Sequence, residues 1–380
     1  MRECKVLFVT PGCFDKGGIS RYSRYQIRAL RNILGEENVR VYSLTGPDGT
    51  GFEDPVGTYW NGSNGTATAS DRFSMALRLT RDALLWRPQL IHSAHVNFSP
   101  LISQLGKVSG AKTLLNVYGL ELWSGLSDKR LRAMREHDLI IADCHATADY
   151  VISHRMHSKE PKVIWDCVDL ERFQPGPRDP ILVERYGLPN PKFHRIVMSL
   201  GRLAKGAAHK GFDRLIESFA AVRAQVPEAR LVIAGKGDDR PRLEQLAREI
   251  GIAELVSFIG PVDEAHLPGI YRYADVFSLV SDFGQGRGEG IPLSPLEAMA
   301  CGVPIVVGDE DGSKEAIDGH RNGRVVSPRS PAQLVAAIVD LLKADEVHFK
   351  RETRAVAEER FDYQAFRAKH QTIYSSMLEG

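Results

Sequence analysis

Short apolar runs alternate with longer amphipathic segments along most of the chain. Residues 5–10, 39–44, 90–92, 113–117, 139–142 and 162–164 are brief and rich in Val, Ile and Leu, which predicts buried strands. Between them, residues 20–34, 71–85 and 129–137 carry apolar positions at helical spacing. The scheme then starts again. Residues 195–200, 230–234, 256–259, 276–279, 304–307 and 324–326 read as strands, with helices predicted over 212–225, 240–250, 264–273 and 331–343. Buried strands separated by helices predict parallel, doubly wound sheets, so the fold class is α/β with two Rossmann-like units.

A polar stretch holding Pro175, Pro177, Pro180, Pro189 and Pro191 divides the two runs. It predicts a first domain over 1–175, a linker over 176–192 and a second domain over 193–360. Ligands of such sheets bind beyond the carboxyl ends of the strands, and a cleft between the halves is expected. Helices are expected at 346–360 and 363–378. Residues 46–70 are rich in Gly, Thr, Asn and Ser without periodicity, which predicts a mobile loop.

At 380 residues the chain has room for two ordinary domains. Its formal net charge of +1 gives no global electrostatic case for nucleic acid. No stretch reaches membrane-spanning length and no signal-peptide pattern opens the chain. Cys4, Cys13, Cys144, Cys167 and Cys301 are scattered, which predicts neither a disulfide framework nor a zinc site. A reduced, cytoplasmic setting is expected.

The chemistry concentrates in the run from Gly288 to Pro304, where Glu289 and Glu297 flank a helix start with seven residues between them. Gly290, Ile291, Pro292 and Leu293 lead into that helix. A helix start offers free N–H groups and partial positive charge to a phosphate, and carboxylates beside it accept from hydroxyls. Arg202 follows the first strand of the second half, and Lys210 precedes its first helix, a layout that suits a diphosphate. Lys205 competes with Lys210, and the run Lys210-Gly211-Phe212-Asp213-Arg214-Leu215-Ile216 favours Lys210. Gly235 turns the chain after a further strand. In the first half, Gly17 and Gly18 permit close backbone approach, with Ser20 as a helix cap. His92 and His95 end one strand, while Tyr118 and Glu121 follow another. Asp309, Glu310 and Asp311 superficially suggest a metal site.

The run around Glu289 and Glu297 resembles the E-x7-E motif of the retaining GT-B glycosyltransferases, in particular family 4. The resemblance covers nearly the whole chain and is strongest over 201–328. It implies a metal-independent hexosyltransferase with a nucleotide-diphosphate sugar, UDP-sugar or GDP-mannose, as co-substrate and no cofactor. The acceptor would be a glycan, a lipid-linked group or a small molecule. By the same resemblance Arg202 and Lys210 would hold and neutralise the diphosphate, Glu289 would bind the donor sugar, and Glu297 the ribose. Gly17, Gly18, Gly235, Gly290, Ile291, Pro292, Leu293 and Val262 would line the donor. Tyr118 stands where many relatives have His, so its role there is to place sugar or acceptor, with His92, His95 and Glu121 on the same side. The last helix, 361–380, would cross back to the first domain.

Two rivals stay open: an epimerase or phosphorylase on a related GT-B scaffold, and a non-catalytic GT-B subunit. A dinucleotide oxidoreductase is distant, because neither half opens with its glycine fingerprint. The helix over 71–87 carries Arg72, Arg78, Arg81 and Arg87 beside apolar residues. It reads as an ordinary helix covering the sheet, with peripheral contact at the inner face of a membrane as the alternative.

Overall fold

The computed structural model describes residues 4–15, 17–47, 56–283 and 288–379. The chain forms two compact units, Met1–Cys167 with Tyr363–Gly380, and Val168–Asp362. The first holds strands β1 Val6–Gly12, β2 Val39–Thr45, β3 Trp60–Ser63, β4 Leu90–Ser93, β5 Lys112–Val117, β6 Leu139–Ala142 and β7 Lys162–Val163. They lie in the order β3-β2-β1-β4-β5-β6-β7, every pairing parallel. Helices α1 Gly18–Leu34, α2 Ala69–Leu85, α3 Ser99–Ser109, α4 Leu120–Trp123, α5 Asp128–Arg135 and α6 His145–Ser153 intervene. Central strands such as β4 are buried along their whole length, because helices cover both faces of a parallel sheet.

The region expected to be structureless over 46–70 contains β3 and the start of α2; its residues 48–55 lie outside the described set. The polar composition hid a short edge strand. Trp60 packs on Tyr42 with ring centroids 5.9 Å apart, and Asn61 Nδ2 donates to the Gly46 carbonyl at 2.8 Å. Thr68 and Asp71 form a capping box that starts α2.

In the second unit, helix α7 is Pro180–Tyr186, followed by β8 Arg195–Leu200, α8 Phe212–Gln225, β9 Ala229–Ala234, α9 Arg240–Glu249 and β10 Val256–Gly260. Then come α10 Leu267–Tyr271, β11 Val276–Leu279, α11 Leu293–Ala300, β12 Ile305–Gly308, β13 Gly323–Val326, α12 Pro331–Lys343 and α13 Glu346–Arg360. The sheet order is β10-β9-β8-β11-β12-β13, again parallel throughout. The proline-rich segment expected as a linker is instead built into this unit. Pro180 opens α7, Arg178 Nη2 pairs with Asp275 at 2.9 Å, and Tyr186 Oη meets His266 Nδ1 at 2.8 Å. The unit boundary falls at Cys167 and Val168.

The last helix, α14 Tyr363–Leu378, belongs to the first unit. Phe366, Ile373, Tyr374 and Met377 enter the same core as Tyr22, Tyr25 and Leu30 of α1. Gln26 Nε2 lies 2.9 Å from His370 Nε2, so the two helices are joined by a buried polar contact as well.

Candidate active site

The chain leaves β8 at Leu200, passes Gly201 and Arg202, and makes a 3-10 turn over Lys205–Lys210 before α8. Gly211 joins turn to helix at φ 74°, where a Cβ would stand 2.4 Å from the Val280 carbonyl oxygen. Arg214 braces the turn: its Nη1 pairs with Asp282 at 2.8 Å, and its Nη2 donates to the His209 carbonyl at 3.1 Å.

This turn aims two side chains at Glu289. Lys210 Nζ donates to Glu289 Oε1 at 2.6 Å, and His209 Nε2 lies 2.8 Å from the same oxygen. Burial pushes the Glu289 carboxyl up, but the Lys210 ammonium and the hydrogen bonds from His209 and Lys210 outweigh it and hold it down at about 2. Glu289 is therefore ionised and accepts only, so the histidine donates through Nε2–H. Among the described residues no hydrogen bond reaches Glu289 Oε2. Arg202 is exposed and makes no ion pair among the described residues. Lys205 is exposed too, and its backbone N–H donates to Asp238 Oδ1 at 3.0 Å.

Behind the glutamate lies Asp311, 1% exposed. It accepts from Glu289 N–H at 2.8 Å, from Ser281 Oγ at 2.7 Å and from Ser313 N–H at 3.0 Å. Burial pushes its carboxyl up to about 6 against these donors. The Gly312 N–H returns a bond to the Glu289 carbonyl at 3.1 Å, so the loop carrying Glu289 is pinned at its backbone. The acids at 309–311 do not converge. Glu310 pairs with Arg329 at 2.7 Å while Asp311 points inward, and no metal-binding cluster occurs among the described residues.

Gly290 is half-buried, and Ile291, Pro292 and Leu293 are buried as they enter α11. Glu297 sits in that helix, 3% exposed, and its Oε2 accepts from Tyr271 Oη at 2.7 Å. Gly235, at φ 134°, brings its backbone so close to Gly201 that a Cβ would stand 1.8 Å from the Gly201 oxygen. Gly201 N–H donates to the Ala234 carbonyl at 3.0 Å and Gly235 N–H to the Gly260 carbonyl at 2.8 Å. The turns after β8, β9 and β10 are thus stitched edge to edge, with Val262 half-exposed just beyond.

The remaining predicted residues lie in the first unit. Gly17 and Gly18 are exposed at the start of α1, and a Cβ on either would meet nothing within 4 Å. Ser20 lies inside the helix and does not cap it; Gly17 occupies that position. Tyr118 ends the β5 segment, its ring set against Tyr22 at 5.4 Å, and burial raises its phenol far above the ordinary range. Glu121 Oε1 accepts from Tyr118 N–H at 2.8 Å and shapes the turn. His95 Nδ1 accepts from Asn97 N–H at 3.2 Å, which ties this histidine to its own turn. His92 does not offer an imidazole to a ligand. It is fully buried, with Nε2 2.7 Å from Asn116 Oδ1 and Nδ1 3.1 Å from Tyr374 Oη, and burial pushes it down to about 4. A strand-end histidine there serves the core instead.

Residues 184–360 match the family model of glycosyl transferases group 1. A GDP-mannose-dependent alpha-(1-6)-phosphatidylinositol monomannoside mannosyltransferase of Mycolicibacterium smegmatis is 35% identical over 251 residues, 64% of this chain and 64% of that protein. A D-inositol 3-phosphate glycosyltransferase 2 of Catenulispora acidiphila is 30% identical over 307 residues, 77% of this chain and 66% of that protein. The aligned part spans just under two thirds of the length of each. Residues 184–360 belong to the glycosyl transferases group 1 family. Solved structures agree on the fold. Anabaena HepE in complex with UDP and glucose superposes with a TM-score of 0.79 at 20% identity, covering 98% of this chain and 100% of that one. Sucrose-phosphate synthase from Thermosynechococcus elongatus gives 0.78 at 20% identity, covering 99% and 100%. The group 1 family member thus has the GT-B fold of two parallel Rossmann-like units.

Within this family member, sequence reasoning missed His209, Asp311 and Tyr271. His209 sits in the inserted turn next to Lys210, and its adjacency to that lysine was the one available signal. Nothing in the local sequence sets Asp311 apart from Asp309, because the difference is the inward turn of one side chain. Tyr271 reads as one more apolar position of a short helix.

Proposed function

We propose that the chain is a retaining glycosyltransferase that moves a hexose from a nucleoside-diphosphate sugar to a hydroxyl acceptor. The observation that carries this reading is the Glu289 carboxylate. It is ionised, fixed through one oxygen by Lys210 and His209, and reached at the other by no hydrogen bond among the described residues, just before the start of α11. A carboxylate held at about 2 is a poor base near neutrality and a good acceptor for sugar hydroxyls. Lys210 Nζ spends one of its three donors on Glu289, which leaves two for a phosphate. Arg202, exposed and without an ion pair among the described residues, supplies a second cation for charge that grows on the departing diphosphate. Glu297 is assigned the ribose, and the stitched turns at Gly235 and Val262 the nucleoside. Gly18 and Tyr118 are assigned the sugar and acceptor side, with Tyr118 acting as a neutral hydrogen-bonding phenol. No step in this scheme calls for a metal ion.

The donor is a UDP-sugar or GDP-mannose, in line with the relatives' names, and the acceptor is a glycan, a lipid-linked group or a small molecule. A thermal-shift screen against UDP, GDP, ADP, NAD and their sugar conjugates, with and without EDTA, tests the reading. A bound nucleotide raises the apparent stability by mass action. Stabilisation by one nucleoside diphosphate and its sugar conjugate, unchanged by EDTA, supports a metal-independent transferase. Stabilisation by NAD alone, or by nothing, overturns it.

A further inference from the structure

The chain leaving β11 is wedged between two glycines. A Cβ added to Gly211 would stand 2.4 Å from the Val280 carbonyl oxygen, and one added to Gly308, the last residue of β12, would stand 2.4 Å from the Ser281 carbonyl oxygen. From this fixed segment hydrogen bonds run both ways. Asp282 N–H donates to the His209 carbonyl at 2.9 Å, on the turn that carries Lys210. Ser281 Oγ donates to Asp311 Oδ2 at 2.7 Å, and the same oxygen accepts from Glu289 N–H at 2.8 Å. Ser281 and Asp311 therefore tie the lysine turn to the glutamate loop by a route that does not pass through the Lys210–Glu289 contact.

Asp311 is committed at both oxygens. Its Oδ1 accepts from Ser313 N–H at 3.0 Å, and Ser313 Oγ lies 3.3 Å from Ser281 Oγ. The carboxyl is buried, and no cation pairs with it among the described residues. Holding an acid there without a counter-charge costs stability, and an apolar side chain would fill the place with less desolvation. An amide could not serve, because one of its two head atoms is itself a donor and would face an N–H. Only a carboxylate holds these three donors at once, and one of them is the backbone of Glu289.

We propose that Asp311 is a positioning residue of the donor site. Together with Ser281 it fixes the backbone of Glu289, so that the Glu289 carboxylate presents its second oxygen to the hydroxyls of the donor sugar. The inference rests on the transferase reading, in which Glu289 takes the sugar while Lys210 and Arg202 take the diphosphate. It assigns Asp311 to the sugar half of the ligand alone.

The test separates the two halves. Affinities of the full chain are measured by calorimetry for UDP and GDP, and for UDP-glucose, UDP-galactose, UDP-N-acetylglucosamine and GDP-mannose. The variants are Asp311→Asn and Ser281→Ala. The second removes one donor, keeps the carboxylate, and stands in should the first fail to fold. The wild type is expected to bind one nucleoside diphosphate and a sugar conjugate of it. Asp311→Asn is expected to weaken the sugar conjugate about tenfold or more, and Ser281→Ala about threefold, while the bare diphosphate stays within about twofold of wild type. Equal losses for the two ligands, or no loss for either, overturn the inference and leave Asp311 a group that only holds the fold. A wild type that binds neither UDP nor GDP overturns the transferase reading, and this inference with it.

Discussion

His209 holds the same oxygen of Glu289 that Lys210 holds, at 2.8 Å against 2.6 Å, and so leaves the second oxygen without a hydrogen bond among the described residues. Two donors from adjacent residues fix the rotation of a carboxylate that one flexible lysine alone would let swing. The two replacements should therefore differ in kind. Lys210→Ala and Glu289→Gln remove charge from the centre and should each lower kcat/KM about a hundredfold or more while the fold survives. His209→Ala should lower kcat about tenfold, the scale of one hydrogen bond to a charged group. His209→Gln, whose amide nitrogen can stand near the Nε2 position, should recover most of that loss. Steady-state kinetics with the donor varied will check this. Equal losses in His209→Ala and His209→Gln would reduce His209 to a packing role.

Asp311 sets a pH dependence of definite sign. Its carboxyl is pushed from the ordinary 3.8 up to about 6 by burial, so the folded chain favours the protonated form. Its contribution to stability is full below about pH 3.8 and is lost as pH rises through about 6. Asparagine stays neutral throughout. The melting temperature of Asp311→Asn relative to wild type should therefore climb between about pH 4 and 7, whatever the constant offset. Glu289 works the other way. Held at about 2 against an ordinary 4.5, it contributes stability above pH 4.5 that fades as pH falls towards 2. A flat difference for Asp311→Asn across the window would show that Asp311 does not titrate in it.

Much of this was legible in the sequence, for physical reasons that differ by element. The runs that became β1, β8 and β12 are apolar because both faces of a parallel sheet are covered, and such runs stand out. β3 did not stand out, because an edge strand built of Trp60, Asn61, Gly62 and Ser63 carries loop composition. The proline-rich segment looked like a linker because proline marks turns. Its docking depends on Arg178 finding Asp275, 97 positions away, which no local pattern encodes. The same holds at the site. Motif spacing singled out Arg202, Lys210, Glu289 and Glu297 as candidates, and the structure joins Lys210 to Glu289, whereas His209 and Asp311 stand out only once the fold brings Glu289 to them. His92 shows the reverse case, a polar strand end that turned out to be a fully bonded core position.

Tyr271 and Glu297 form a buried pair that gives the second carboxylate its own test. Tyr271→Phe removes the 2.7 Å bond to Glu297 Oε2 and keeps the ring that packs on Phe173 and Phe277. The expected loss of stability is about 1–3 kcal/mol, since a buried carboxylate loses a donor. If Glu297 also holds the ribose, nucleoside-diphosphate affinity should fall with it, read by calorimetry. Unchanged affinity in a folded Tyr271→Phe protein would argue that the tyrosine does not position Glu297 for a ligand.

The glycines of the two units separate structural need from ligand need. Gly235 is held at φ 134° with a Cβ position 1.8 Å from the Gly201 oxygen, so Gly235→Ala forces two backbone turns apart. It should cost roughly 2–4 kcal/mol and lower the melting temperature by several degrees, whatever is bound. Gly18 has nothing within 4 Å of a Cβ and already lies in a helix. Alanine loses less backbone freedom on folding than glycine, so Gly18→Ala at the first position of α1 should leave stability unchanged or raise it by about 0.4–1 kcal/mol. Any loss of transfer in Gly18→Ala must then come from a ligand that needs the space the added methyl fills. Thermal denaturation and donor kinetics on the same two proteins decide the matter. A Gly18→Ala enzyme with full activity and normal KM would remove that glycine from the ligand's path.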